Sequence, residues 1–122
     1  PSPLRILTIL LRHRSYPAPL DLCFFDNFTV SKYTNMCPIE RNALKQFYEA
    51  AKGQEWTKSE NWTLPYKNHC KWDGVYCFGS SNVINLTLHG NGLSGTLHPS
   101  IANLSLLKVL DLSNNDIKVG LS

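Results

Sequence analysis

The 122-residue sequence predicts an α/β repeat solenoid fragment, in which a helical N-terminal cap with a disulfide precedes about two 24-residue repeats. Three observations lead to this fold class. Residues 83–118 repeat their own apolar pattern after 24 positions, residues 38–53 carry an amphipathic helical pattern, and Cys70 and Cys77 stand between the two segments. The predicted organisation is an irregular N-terminal segment (1–36), a cap (37–82), repeats (83–118) and an atypical tail (119–122).

The repeat has the spacing of a leucine-rich repeat. A period of about 20 to 29 residues with the core L-x-x-L-x-L-x-x-N-x-L gives one short strand and one turn in each unit. We therefore expect the leucines to point inward and each asparagine to bond backbone groups of the bend. A shift of 24 positions brings Val83 onto Leu107, Leu86 onto Leu110, Leu88 onto Leu112, Asn91 onto Asn115 and Leu93 onto Ile117.

The segment before the repeats has the features of a terminal cap. Pro38 suits the first position of a helix, Glu40 lies in the first turn, and Gly53 suits a left-handed helix ending. Because a solenoid exposes its apolar interior at each end, we expect the apolar side of this helix to cover the first repeat. That apolar side consists of Ile39, Ala43, Leu44, Phe47, Ala50 and Ala51.

Cysteines and tryptophans complete the predicted cap. Cys70 and Cys77 enclose an eight-residue loop, and a disulfide across a loop of this length adds roughly 2 to 3 kcal/mol on the chain-entropy estimate. We interpret Trp62 and Trp72 as packing residues rather than ligand contacts. Four cysteines suit an oxidising compartment if they pair, although a cytosolic protein can equally carry four thiols.

Composition limits the function classes. The net charge is +3 and the basic residues are scattered, so no stripe follows a phosphate backbone and no nucleic-acid partner is expected. No run reaches the roughly 18 apolar residues of a membrane span. The longest run, residues 6–11, is either a partial signal peptide or a non-native or poorly ordered extension.

Four N-glycosylation sequons point to the secretory pathway. They begin at Asn27, Asn61, Asn85 and Asn103. We favour Asn61 and Asn103 as acceptors because each lies in a predicted loop, whereas Asn85 lies in a predicted strand.

The sequence predicts no catalytic, cofactor-binding or metal site, and we do not expect an enzyme. Residues 90–95 read G-N-G-L-S-G, which matches the dinucleotide-binding string, but the repeat frame accounts for them and no second parallel-strand pattern follows at the required spacing. The C-x6-C spacing and the scattered His69, His89 and His98 favour a structural disulfide over zinc. No nucleophile motif or catalytic carboxylate pair stands out in the sequence.

Four stretches carry a family resemblance. The motifs E-R-N-A-L-K-Q-F-Y at 40–48, W-T-K-S-E-N-W at 56–62 and C-K-W-D-G-V-Y-C at 70–77 precede the repeat N-G-L-S-G-T-L-H-P-S-I-A-N-L-S-L-L-K-V-L-D-L-S-N-N at 91–115. Together they resemble the N-terminal cap and first repeats of plant-type extracellular leucine-rich-repeat proteins. The resemblance covers residues 37–118.

The resemblance implies a curved solenoid outside the plasma membrane, with strands on its concave side and a binding role. It implies a protein, peptide or cell-wall-derived ligand, a co-receptor, and no cofactor. A kinase domain in a longer parent protein is compatible with it but is absent from these residues. The solvent-facing positions that map onto the family's ligand surface are Asn85, Thr87, His89, Val109, Asp111 and Ser113.

The sequence also departs from the family pattern. Many members carry a cysteine doublet where this chain has His69 and Cys70, and they bond an upstream cysteine into it. Cys37 lies at the upstream position, so it either pairs with Cys23 or stays free. Two repeats without a C-terminal cap are expected to leave an apolar end exposed.

Three functional hypotheses follow. The first is the N-terminal part of a receptor-like kinase or receptor-like protein, on the outer face of the plasma membrane. The second is a secreted leucine-rich-repeat inhibitor of cell-wall-degrading enzymes. The third is a truncated product without independent function.

Overall fold

The computed structural model describes residues 8–10, 37–79 and 81–119. The predictions for Asn27, for Cys23 and for most of the N-terminal segment therefore lie outside the described residues. The described regular elements, in chain order, are β1 (Thr8–Leu10), α1 (Pro38–Ala50), β2 (Val75–Phe78), β3 (Asn82–Thr87), β4 (Thr96–Leu97), β5 (Val109–Asp111) and β6 (Lys118–Val119). Short 3-10 turns lie at Gly53–Glu55, His69–Lys71 and Pro99–Asn103.

The main sheet has the strand order β1-β5-β3-β2. β3 and β5 are parallel, with Asn85 beside Val109 and Leu86 beside Leu110. The register offset is therefore the 24 residues that the sequence period predicts. β4 and β6 form a second parallel pair, and β2 joins β3 in antiparallel orientation with an irregularity between Tyr76 and Cys77.

The repeated leucine pattern forms the core, as predicted. These side chains are at most 4% exposed, and Leu86 and Leu110 are register partners on the neighbouring strands β3 and β5. The buried members are Val83, Leu86, Leu88, Leu93, Leu107, Leu110, Leu112 and Ile117.

The repeat asparagines bond backbone groups, which confirms the role predicted for them. The Asn115 Oδ1 atom accepts the N–H groups of Asn91 and Leu93, each at 2.9 Å, and its Nδ2 donates to the carbonyl of Leu88 at 2.8 Å. The Asn91 side chain instead reaches the cap, where Oδ1 accepts the Lys58 N–H and Nδ2 donates to the Lys58 carbonyl, both at 2.7 Å. One asparagine thus joins the two repeats, and the other joins the first repeat to the cap.

Helix α1 ends differently from the sequence prediction. The residue with left-handed backbone geometry is Lys52, at φ 58°, whereas Gly53 opens a 3-10 turn. The prediction of a left-handed Gly53 is therefore wrong. Glycine is needed there for space, because a Cβ atom on Gly53 would lie 2.1 Å from the ring of Tyr48.

Glu40 has a different role from the one that its place in the first helical turn suggested. Its side chain is 1% exposed and its Oε1 atom accepts the backbone N–H of Val83 at 2.7 Å. Its Oε2 atom accepts from the Asn82 side chain at 3.4 Å. A buried carboxylate needs such donors, so Glu40 fixes the helix against the first residues of β3.

Aromatic rings fill the cap. Trp56, Trp62 and Trp72 are 6, 4 and 1% exposed, which confirms the packing role predicted for Trp62 and Trp72. The rings of Trp56 and Trp62 meet edge to face at 5.0 Å, and Trp72 lies 5.0 Å from Trp62. The Arg41 guanidinium stacks at 4.7 Å over the Trp72 ring, which gives a cation–π contact.

The expected exposed apolar end is not found at the second repeat. Leu110, Leu112 and Ile117 are 2, 0 and 0% exposed, so the expectation is wrong for these side chains. The edge of β5 that faces away from β3 pairs with β1. Among the described residues, no helix has both the length and the apolar content that crossing a membrane requires.

Candidate functional site

Cys70 and Cys77 form a disulfide that ties the turn His69–Lys71 to β2. Cys77 therefore lies on a strand, whereas the sequence predicts a loop between the two cysteines. Cys37 is also disulfide-bonded, which excludes the free thiol. Its predicted pairing with Cys23 lies outside the described residues.

His69 stands beside this disulfide and is fully buried. Its Nε2 atom lies 2.8 Å from the Ser81 carbonyl and must donate to it, so the Nδ1 atom carries the lone pair and has no hydrogen-bond partner among the residues that the structure describes. Burial lowers the pKa of His69 to about 4, the Ser81 carbonyl opposes that shift, and Arg41 adds to it. A ring nitrogen and both sulfur atoms lie within 4.8 Å of one another, but sulfurs bonded to each other offer no thiolate to a metal.

The six positions predicted for ligand binding lie on two neighbouring strands and the residues that follow them. The register places Asn85 beside Val109 and Thr87 beside Asp111. A hydrogen bond of 2.6 Å joins His89 Nδ1 to Ser113 Oγ. We call this group, together with Tyr76, the strand face: Tyr76, Asn85, Thr87, His89, Val109, Asp111 and Ser113.

Hydrogen bonds fix the polar end of the strand face. Ser113 Oγ lies 2.6 Å from the Asp111 carboxylate oxygen Oδ1 and must donate its only proton to it. His89 Nδ1 must therefore be the donor toward Ser113 Oγ, which leaves Nε2 as the acceptor for Asn114 Nδ2 at 3.3 Å. The direction of each bond follows from the fact that a carboxylate only accepts.

This arrangement orients side chains and does not activate a nucleophile. In serine hydrolases the imidazole lies between serine and carboxylate and removes the serine proton. Here Ser113 lies between Asp111 and His89, and its proton is held by the carboxylate. Ser113 is only 7% exposed, so the expectation that it faces solvent is wrong; the hydrogen bonds to Asp111 and His89 hold its hydroxyl inward. The strand face offers hydrogen-bonding side chains and the exposed ring of Tyr76.

Tyr76 is an exposed residue beside the six predicted positions that was not among the predicted site residues. It lies opposite Asn85 in the antiparallel pair of β2 and β3 and is 57% exposed. Tyr76, Asn85 and Val109 thus form one row across three strands. The signal was the alternation in V-Y-C-F, where Val75 is buried and Tyr76 exposed, and a strand with period two explains it.

The three described sequons have different surroundings. Asn103 is exposed at the end of a 3-10 turn. The Asn61 side chain donates to the Lys71 carbonyl at 3.0 Å. Asn85 is half-buried within the sheet and its Oδ1 atom accepts the hydroxyl of Thr87.

Comparison with known proteins identifies relatives of this chain. No protein-family model matches it. Phytosulfokine receptor 2 of Arabidopsis thaliana is 38% identical over 97 residues, which are 77% of this chain and 9% of the receptor. Phytosulfokine receptor 1 of the same plant is 35% identical over 102 residues, or 80% of this chain and 10% of the receptor.

Shorter matches agree with these two. The LRR receptor kinase SERK2 of Oryza sativa subsp. japonica is 40% identical over 55 residues, which are 45% of this chain and 9% of that kinase. The chain thus spans about a tenth of the length of these curated relatives. The relatives agree with the family resemblance of the cap and repeat motifs, and they favour a leucine-rich-repeat fold. The curated homologues of this chain are plant leucine-rich-repeat receptor-like kinases, matched at moderate identity over part of its length.

Proposed function

We propose that this chain is the N-terminal cap (37–82) and the first repeats (83–118) of an extracellular leucine-rich-repeat solenoid. In this proposal it is a binding module of a receptor-like kinase or receptor-like protein, on the outer face of the plasma membrane. The observation that carries the proposal is the parallel register of β3 and β5, which sets residues 24 apart side by side on the strand face. The homology to receptor kinases favours this role over a secreted inhibitor of cell-wall-degrading enzymes.

Contacts between cap and repeats support treating them as one unit. The Glu40 carboxylate accepts from Val83 of β3, and the Asn91 side chain bonds both backbone groups of Lys58. The Ser100 hydroxyl donates to the carbonyl of Ala43 in α1 at 3.0 Å. A cap held by hydrogen bonds at several places keeps the first strand in a fixed position for binding.

The composition of the strand face favours a protein or peptide ligand. Tyr76 offers an exposed ring and hydroxyl, and tyrosine is among the residues that most often dominate the energy of protein interfaces. Ser113 is already hydrogen-bonded to both Asp111 and His89, so binding would cost little further ordering of these side chains. Asn85 and Thr87 between them add amide and hydroxyl groups suited to a peptide backbone.

The proposal is tested by selecting ligands for the full chain. The probes are phytosulfokine, which appears in the names of two relatives, and a phage-displayed library of random peptides. Dissociation constants of the binders are then measured by calorimetry for wild type, Tyr76→Ala and the control Lys45→Ala. Lys45 is exposed on α1 and lies outside the strand face.

We expect Tyr76→Ala to weaken binding by about 10-fold or more, as for an aromatic residue at the centre of an interface. Lys45→Ala should leave the dissociation constant unchanged. Binders with equal affinity for both variants would contradict the strand face as the binding surface. Absence of any specific binder would contradict the binding role of these repeats.

A further inference from the structure

The sequon at Asn61 lies in a tightly held turn of the cap. Its three residues are Asn61, Trp62 and Thr63, and N-x-[ST] is the acceptor sequence for N-linked sugars. Asn61 and Thr63 both have left-handed backbone geometry, at φ 72° and 64°. A positive φ is unusual for a β-branched residue such as threonine, so surrounding contacts must hold this turn in place.

The middle residue of the sequon anchors the turn in the core. Trp62 is 4% exposed, and its ring centroid lies 5.0 Å from that of Trp72. Its indole Nε1 donates to the Asp73 carbonyl at 2.8 Å. Asn61 and Thr63 flank this buried ring. The sequon therefore cannot leave the cap as an extended segment unless Trp62 leaves the core.

Hydrogen bonds also tie the sequon to the segment beside the disulfide. Asn61 Nδ2 donates to the Lys71 carbonyl at 3.0 Å. The N–H of Glu60 donates to Asp73 Oδ2, and the N–H of Asp73 donates to the Glu60 carbonyl, both at 3.1 Å. Lys71 directly follows Cys70 of the disulfide. The disulfide thus restricts the segment to which the sequon is bonded.

These contacts oppose sugar transfer to the folded cap. Transfer replaces one N–H bond of Asn61 Nδ2 with a bond to the anomeric carbon of the sugar. The nitrogen loses a proton, and the diphosphate of a lipid-linked donor leaves with the electron pair of the broken sugar–oxygen bond. A sequon enzyme must reach both this amide and the Thr63 hydroxyl, yet in the fold that hydroxyl donates to the Trp62 carbonyl at 2.6 Å. The second N–H of Asn61 Nδ2 can still donate to Lys71 after transfer, so an attached glycan is compatible with the closed cap.

We infer that Asn61 accepts an N-linked glycan only while the cap is open, and that closure of the Cys70–Cys77 disulfide ends its reactivity. The inference is separate from ligand binding at the strand face. It rests on the proposed function only in that such sugar transfer belongs to the secretory pathway. A test on purified protein does not depend on that location, so failure of the inference is distinguishable from failure of the proposed function.

The experiment incubates the purified full chain with an oligosaccharyltransferase and a lipid-linked oligosaccharide donor. Glycopeptide mass spectrometry follows the rate of modification at Asn61. The reference is a synthetic peptide of residues 57–67, which carries the same sequon without the cap. We expect the disulfide-bonded chain to react at least about 100-fold more slowly than the peptide, because transfer requires withdrawal of the buried Trp62 ring. The double variant Cys70→Ser/Cys77→Ser should react within about 10-fold of the peptide.

A single substitution tests the local contacts within the folded chain. Asp73→Ala removes the side-chain acceptor of the Glu60 N–H and should raise the rate at Asn61 by about 5-fold. Asp116→Ala is the matched control, because its side chain is exposed in the second repeat, and it should leave the rate unchanged.

Three results would overturn the inference. Equal rates for the peptide and the wild-type chain would exclude closure of the sequon. A double cysteine variant as slow as the wild type would exclude control by the disulfide. Equal rates for Asp73→Ala and the wild type would exclude the local contacts as the cause, and this comparison holds even if the double cysteine variant fails to fold.

Discussion

Removing the side chain of Asn115 should destabilise the protein more than most single substitutions. The side chain is 5% exposed, and its Oδ1 atom accepts the N–H groups of Asn91 and Leu93. In Asn115→Ala these two buried donors lose their partner, and each unsatisfied donor costs about 1 to 3 kcal/mol. We expect a loss of about 3 kcal/mol in the free energy of unfolding, or about two orders of magnitude in the unfolding equilibrium constant.

Urea unfolding followed by the fluorescence of the buried tryptophans measures this loss. Asp116→Ala is the control, because the Asp116 side chain is exposed and adjacent in sequence. Asn115→Asp keeps an oxygen acceptor and loses the amide donors toward the Leu88 and Leu112 carbonyls. Its free energy of unfolding should therefore be lowered both by the missing donors and by the burial of a charge. If Asn115→Ala cost no more than Asp116→Ala, the bridging role of Asn115 between the repeats would be wrong.

Three further outcomes are expected. His69 has a folded pKa of about 4, below its unfolded value near 6.5, so its contribution to stability should be constant above about pH 6.5 and should fall by about 3 kcal/mol as the pH drops to 4. Urea unfolding at several pH values should show a smaller fall for His69→Gln than for the wild type, and identical pH profiles for the two proteins would contradict this role. Gly95→Ala should cost about 3 kcal/mol or prevent folding, since φ is +79° and a Cβ atom would lie 2.3 Å from the Ala50 carbonyl oxygen; wild-type stability on urea titration would refute this. In protein secreted from plant cells, glycopeptide mass spectrometry should find a glycan on Asn103 and none on Asn85, whose occupancy would cover the strand face and count against its binding role.

Periodicity and local chemistry predicted the core and the asparagine hydrogen bonds that join the repeats. The 24-residue shift fixed which leucines are buried and which residues of β3 and β5 lie side by side, because both follow from one repeated unit. The role of Asn115 followed from its short polar side chain. The hydrogen-bond order among Asp111, Ser113 and His89 could not be predicted, since it depends on rotamers set by the folded strands.

The remaining differences come from contacts between segments distant in sequence. Its position in the sequence predicted that Glu40 interacts with the start of its own helix. In the structure its carboxylate accepts a hydrogen bond from the backbone N–H of Val83, 43 positions later. The exposure of Tyr76 was not predicted because the segment between the cysteines was interpreted as a loop. Once Val75–Phe78 is known to be a strand, the exposure of Tyr76 follows from the alternation of buried and exposed residues. The pairing of β1 with β5 had no local signal, because nothing in residues 6–11 specifies which sheet edge a short apolar run will join.

That pairing has a consequence for the order of folding. About a hundred residues separate Ile9 from Leu110, whereas β2 and β3 are joined by a short hairpin connection. Closing a long loop carries a larger entropic cost, and such contacts form late. During synthesis, Thr8–Leu10 leaves the ribosome about a hundred residues before β5 and has no partner in the sheet until β5 emerges, so among the described strands of the main sheet we expect β1 to join last.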